Sequence, residues 1–552
     1  MILRISTYLT CYLMVYRLFS CCVLLITLNC TSEGVSLMEP QSSSALPLCS
    51  GTASWPDFST IPSPTLMDGI GNSHLPISTN DELAQRWFDQ GINHLHGFNH
   101  LEAYRAFQEV ILLDPECAIA YWGIAMCQPG FGGNDTRRWD QAITQAVTLA
   151  AQQSLTAVEN DLIEALYLTM MEGLNQAAPL WEQIVRKHFD QAPDALAFSG
   201  IMLRQLVQSN QQSNAVKILL ESAMELYPDH IGLGHYYTHV MEVREDFLAA
   251  KLCAEKVALL APSASHLVHM PGHIYFLEGE YAKAVNTFER AYDLDVNYHS
   301  ESKVPYAANQ NYMHNLHYLA VASSELGDKE KALQVAKRYA NLKLHNNQSL
   351  DGGGLMLLYE GLILPAWVQL RFRDYAAASR EVRFWLDHPS FGASHPMVRL
   401  YFKTILAYSE GMLALDNGDI EFAIERNGQL IQHLKDFSER RNTWPNGAEL
   451  RSIHQVYDVM VLLSLQLQGW LDNIERNHSF DNRVWQEALA LEQNLPYDEP
   501  PRLMYPVGEN LMYLQLFRGD QEAAGAAAKL AFEERPNSPV IRRALSQKRN
   551  KL

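Results

Sequence analysis

The sequence predicts an all-α protein built of stacked helical hairpins, and three observations carry that prediction. After residue 80 apolar residues recur at helical spacing and strand-like alternation is scarce. A pattern of glycine, small residue, aromatic residue and helix-ending proline appears first in GINHLHGFNHLEAYRAFQEVILLDPE, with Ala103, Phe107 and Pro115. It returns later in the chain, and two of its prolines, Pro228 and Pro262, stand 34 residues apart. That period belongs to a repeat of two antiparallel helices, in which neighbouring units bury each other's apolar faces.

Taken in order, the chain opens with Arg4 and Arg17 and then an apolar run from Leu18 to Leu28, the layout of a signal peptide. The run is short for a bilayer span, so residues 1–33 are expected to be a signal peptide, with a membrane anchor as the alternative. Export then follows, to a secreted or periplasmic location. Residues 34–80 are rich in Ser, Pro, Gly and Thr and read as a disordered linker. Residues 81–349 are expected to form an N-terminal tetratricopeptide-type (TPR) array, with copies at Ala250 and Pro262, at Gly272, Ala284 and Phe288, and at Gly327 and Ala332. Residues 350–552 are expected to form a more degenerate array, with copies at Gly418 and Ala423 and at Gly519, Ala524 and Pro536. In such a solenoid the first helix of each unit lines a concave groove.

A formal charge of −19, from 43 basic and 62 acidic residues, opposes attraction to phosphate backbones or anionic lipid. Nucleic acid is therefore excluded as a partner, and a membrane enters only through an uncleaved leader. Four of the eight cysteines lie within the first thirty residues, and the rest are too dispersed for a disulfide framework. The sequons at Asn134, Asn347 and Asn477 are compatible with export.

Histidines carry the functional signal. In HLVHMPGHIYFLEGEY, His266, His269 and His273 fall on one helical stripe, bent at Pro271. His235 and His239 recur 34 residues later as His269 and His273, and His314 and His317 continue the ladder after an insertion. Glu242 joins the stripe three residues beyond His239. A His-x-x-x-His pair on one turn is a two-point clamp for a metal that accepts imidazole, and adjacent helices bring such pairs side by side. The expectation is that His235, His239, His269 and His273 face the groove and meet at one ion, copper, zinc or iron. Asn99, His100 and Glu102 lie at a turn, where solvated residues at the groove mouth are expected. A peptide or protein ligand held in the same groove, without catalysis, is the competing reading. Neither QPGFGGND nor LDGGGL carries the Lys-Ser/Thr of a phosphate loop, and no zinc-protease helix or serine elbow occurs.

The stretches FNHLEAYRAF, AYWGIAM, HYYTHVMEV, SHLVHMPGHIY and YDEPPRLMYPVGENL resemble a family of large TPR-domain proteins, widespread in bacteria and sporadic in eukaryotes. The likeness runs in order from about residue 84 to 540, with HMPGHIY and YDEPP its specific parts. It implies an all-helical repeat array. Its matching positions are Asn99, His100, His235, His239, His266, His269, His273, His314, Asp498, Glu499 and Pro500. Where this chain has His317 the family carries an acidic residue, and where it has Gly508 an arginine. The second departure removes a guanidinium that would have paired with Glu499 or an anionic substrate.

Overall fold

The computed structural model describes residues 55, 58–128, 137–207, 210–243, 246–343, 352–388, 391, 395–445, 448–474 and 479–546. The leader, about half of the Ser/Pro-rich segment and the asparagines of all three sequons lie outside them. No strand occurs among the described residues, and none of their helices is long and apolar enough to cross a membrane. The protein is an all-α array of TPR-type hairpins.

Two compact units divide the chain, and the boundary between their main segments lies between Met270 and Pro271. Unit 1, residues 64–128 and 137–270, holds α1 (Glu82–His96), α2 (His100–Leu113), α3 (Ala118–Met126), α4 (Arg137–Ala150) and α5 (Ala157–Glu172). It continues with α6 (Leu174–His188), α7 (Pro193–Arg204), α8 (Asn210–Leu226), α9 (Ile231–Val243) and α10 (Phe247–Leu260). Helix α11 (Ser265–Leu277) runs through Pro271 and contains the boundary. Unit 2 goes on with α12 (Tyr281–Ser302), α13 (Gln310–Leu326), α14 (Lys329–Ala340), α15 (Gly352–Met356), α16 (Leu364–Arg371) and α17 (Tyr375–Asp387). It ends with α18 (Pro396–Asp416), α19 (Ile420–Asn442), α20 (Ala448–Asn473), α21 (Arg483–Gln493), α22 (Val507–Arg518), α23 (Gln521–Glu534) and α24 (Pro539–Ser546).

The repeat pattern has a direct packing cause. A side chain at Gly91 would collide with the ring of Phe107, and one at Gly272 with the ring of Phe288, both pairs sixteen residues apart. The glycine of the first helix thus seats the aromatic residue of the second. Hairpins turn quickly because Asp328, Asp419 and Asp520 cap their second helices, each carboxylate accepting a backbone N–H of the first turn.

Residues 64–80, expected as part of a linker, are instead a packed strap along α1. Amide side chains on that helix satisfy its backbone. Gln90 accepts from Met67 N at 2.7 Å and donates to Thr65 O, Asn93 does the same for Ser73, and Gln85 accepts from Ile77 N while donating to Leu75 O. Ile70, Leu75 and Ile77 are buried beneath it. Composition alone misreads such a segment, because its order comes from Gln85, Gln90 and Asn93 rather than from its own pattern.

Within unit 1, α9 packs against α1 as well as against α7, α8 and α10. The face that an open array would offer as a groove is therefore covered there. In unit 2 a buried Arg371 joins Glu325 and Glu509 at 2.9 and 2.6 Å, linking α13, α16 and α22.

Candidate metal centre

Helix α9 presents His235 and His239 one turn apart, and α11 brings His266 beside them. All three are buried, at 0, 2 and 3% exposure. The Nε2 of His235 lies 3.1 Å from that of His239 and 3.2 Å from that of His266. Ligand atoms about 2.0–2.1 Å from a tetrahedral ion stand roughly 3.3 Å apart, so the spacing is that of a coordination shell.

Groups behind the rings decide where their protons sit. The Nδ1 of His235 lies 2.5 Å from the carbonyl oxygen of His96, a contact that needs Nδ1–H as donor. Its Nε2 then keeps the lone pair. Behind His239, Oε2 of Glu242 lies 3.3 Å from Nδ1. The lone pair of His235 consequently faces the Nε2 atoms of His239 and His266, where a cation or an imidazole N–H meets it. Carbonyl or carboxylate behind imidazole is also how metal-bound histidines are oriented. The ring of Phe98 touches all three imidazoles, with centroids 4.6 Å from His235, 5.4 Å from His266 and 5.9 Å from His239.

A second cluster in the same unit is built differently. His96 and His230 both bring Nε2 to Oδ1 of Asp194, at 2.9 and 3.0 Å. Leu233 N donates to Nδ1 of His230 at 3.2 Å, and the Tyr236 hydroxyl lies 3.0 Å from Nδ1 of His96. Each imidazole therefore accepts at Nδ1 and donates from Nε2 to the carboxylate. Burial pushes His96 below the usual imidazole range. Burial pushes the Asp194 carboxyl up, but His230 and His96 outweigh it and hold the group well below the carboxylate range. Gly232 makes room for this, since a Cβ there would meet the His96 ring at 2.3 Å.

In unit 2, Nε2 of His273 and His314 approach to 3.1 Å, and Oε2 of Glu499 lies 3.8 Å from Nδ1 of His273. His317 turns elsewhere, its Nδ1 3.3 Å from Glu360, which also binds Arg502. Arg502 in turn holds Asp498 at 2.6 Å, so the guanidinium beside the YDEPP segment comes from within that segment. Gly508 has no space for an arginine, because even a Cβ would lie 2.8 Å from Ala531 N.

Several expectations change. The third nitrogen of the α9 cluster comes from His266, not from His269, whose ring stacks on His266 at 5.8 Å. The clustered histidines of unit 1 are interior residues rather than groove-lining ones, because α1 packs across α9. Asn99 caps α2 through Glu102 N, and Glu102 is buried in an ion pair with Arg105. His100, expected near solvent, has buried ring nitrogens, and so does the neighbouring His94 at Nε2. Both nitrogens of His100 lack a hydrogen-bond partner among the described residues, and burial brings it down to about 4. Burial, helped by Arg105, lowers His94 to about 3. Phe98, Asp194, His230 and Tyr236 had no sequence signal, since no spacing or repeat ties them to the histidine stripe. The thiols of Cys117 and Cys253 are pushed up by burial to about 12 and about 11, which removes them as easy thiolate ligands.

No family model matches the sequence, and no curated protein matches it. Among solved structures the chain is similar to a tetratricopeptide repeat protein from Parabacteroides merdae, at 12% identity and a TM-score of 0.28, over 48% of this chain and 95% of that one. It is also similar to the human IFIT1 dimer with m7Gppp-AAAA (12% identity, TM-score 0.35, 85% and 92% covered) and to yeast Tom70 (12%, 0.25, 84% and 88%). Nothing about ligands or chemistry passes from them to this chain.

Proposed function

We propose that this chain is a metalloprotein in which His235, His239 and His266 hold one transition-metal ion, zinc, copper or iron, through Nε2. The observation that carries the reading is the convergence of three Nε2 atoms while the His96 carbonyl and Glu242 occupy the Nδ1 sides of two of the rings. Three imidazoles leave a fourth position for a further ligand, as in catalytic rather than closed structural sites. The reading centres on α9 and α11, where all three nitrogens belong to unit 1.

Protein purified without an affinity tag should carry about one equivalent of transition metal by elemental analysis. Replacing His235 and His266 together with Ala should remove it; both rings are buried, so circular dichroism and the unfolding curve of the metal-free variant are needed to separate loss of ligands from loss of fold. Metal retained at full stoichiometry in that variant would refute the assignment.

A further inference from the structure

We propose that Phe98 is the cap of this metal centre, closing the fourth coordination position and deciding which outside ligands reach the ion. The proposal rests on the three-histidine reading above. Its first support is where Phe98 stands in the chain. It lies two residues before the second helix of its hairpin, in the left-handed backbone region with φ 51°. In five other hairpins that same place is held by Gly279, Gly327, Arg373, Gly418 and Gly519, all with positive φ. Glycine suits such a turn because it has no Cβ to crowd the neighbouring carbonyl, whereas a bulky aromatic residue is strained there. The turn does not ask for phenylalanine.

What holds it there is the ring's environment. Phe98 is 7% exposed and touches the imidazoles of His235, His239 and His266 together. Tyr236 stacks on it at 5.8 Å and 21°, and His100 lies nearly parallel to it at 6.3 Å and 10°. Arg373, the other exception among these turns, also sends its side chain inward, with the guanidinium 4.2 Å over the ring of Tyr513. In both turns a side chain replaces glycine where it has an interior partner, and the strain is kept at a site with a use for it. The partner of Phe98 is the whole three-imidazole cluster.

An apolar ring packed against all three imidazoles excludes hydrogen-bonded water from its side of the ion and admits there at most a small, weakly hydrated ligand. The test uses Co(II) as the metal, azide as the outside ligand and EDTA as the chelator. Phe98→Gly is a suitable variant because glycine serves four equivalent turns, and Phe98→Asn, which also tolerates this backbone region, repeats the measurement independently. Wild type and variants should each bind about one Co(II). Azide should shift the visible Co(II) bands of the variants and leave those of the wild type unchanged. EDTA should strip the variants at least about tenfold faster. Arg373→Gly, which loosens the other non-glycine turn, should match the wild type. Equal azide response and equal release rates in wild type and Phe98 variants overturn the cap, as does an Arg373→Gly protein that releases metal as fast as Phe98→Gly. If the wild type binds no Co(II), the metal reading fails and takes the cap with it, whereas a stoichiometric complex indifferent to Phe98 sinks the cap alone.

Discussion

Two clusters of buried imidazoles share unit 1, and they differ in whether donors meet acceptors. Around Asp194, each N–H of His96 and His230 finds the carboxylate, and each remaining ring nitrogen has a donor in Tyr236 or Leu233. Around His235, the His96 carbonyl turns one lone pair toward the Nε2 atoms of His239 and His266, at 3.1 and 3.2 Å. Both clusters have the residue types and spacing of a metal site. In the second, three ring nitrogens converge with no carboxylate among them to take up their protons. Proximity of histidines is thus a weak criterion, and the count of protons around them is a stronger one.

Acidification should separate the two most widely. A metal competes with protons for each imidazole, so apparent affinity at the three-histidine site falls as the pH is lowered, the more steeply the more imidazoles bind the ion. A progressive loss is expected in metal titrations at falling pH. The metal-free fold should respond more gently. His94, His96 and His100 have folded values below the unfolded one, so their contribution is full above about pH 6.5 and shrinks as the unfolded chain gains protons below it. Each should cost about 1 kcal/mol by pH 5.5 in urea titrations of metal-free protein. Asp194 adds no loss there. Its depressed carboxyl contributes above the unfolded value near 3.9, and that contribution goes only as pH falls below it. Metal affinity that does not fall at any pH down to acid unfolding would mean the imidazoles are not the ligands.

Next in size is Asp194→Ala. It leaves two buried N–H donors, on His96 and His230, without their acceptor, each costing about 1–3 kcal/mol. A total loss of roughly 2–5 kcal/mol is expected by denaturant unfolding, with metal stoichiometry unchanged. The reverse pattern, an intact fold with the metal gone, would exchange the roles of the two clusters.

How much of this was legible in the sequence depends on whether the signal was local. Hairpins were readable because Gly91 and Phe107, or Gly272 and Phe288, sit within one unit at fixed spacing, and packing forces that spacing. His235, His239 and His266 were readable as a group because α9 and α11 are neighbouring first helices. The pairing of His235 with His266 was not, since it depends on the displacement of one repeat against the next. Asp194, Phe98 and the order of residues 64–80 were invisible for another reason. Each acts through contacts far along the chain, such as Asp194 to His96 or Ser263 N to Gly69 O at 2.8 Å, which leave no period to detect. Burial of the histidines was misjudged because a stripe of polar residues reads as a solvated face unless something is known to cover it.

The smallest expected effect tests the point where the two clusters touch. His96 belongs to both, offering its ring to Asp194 and its backbone carbonyl to His235. Tyr236→Phe removes the hydroxyl that lies 3.0 Å from the His96 ring, leaving a buried acceptor without its donor at a cost of about 1 kcal/mol. The carbonyl that orients His235 stays in place, because it is fixed by the last turn of α1 and not by the ring. Metal affinity should therefore change by less than about threefold while stability drops measurably. An affinity loss of about 10–100-fold, the size seen when a group orienting a ligand is removed, would show that ring and carbonyl move together. The Asp194 network would then be an outer part of the metal centre, and the distinction between the two clusters would fall.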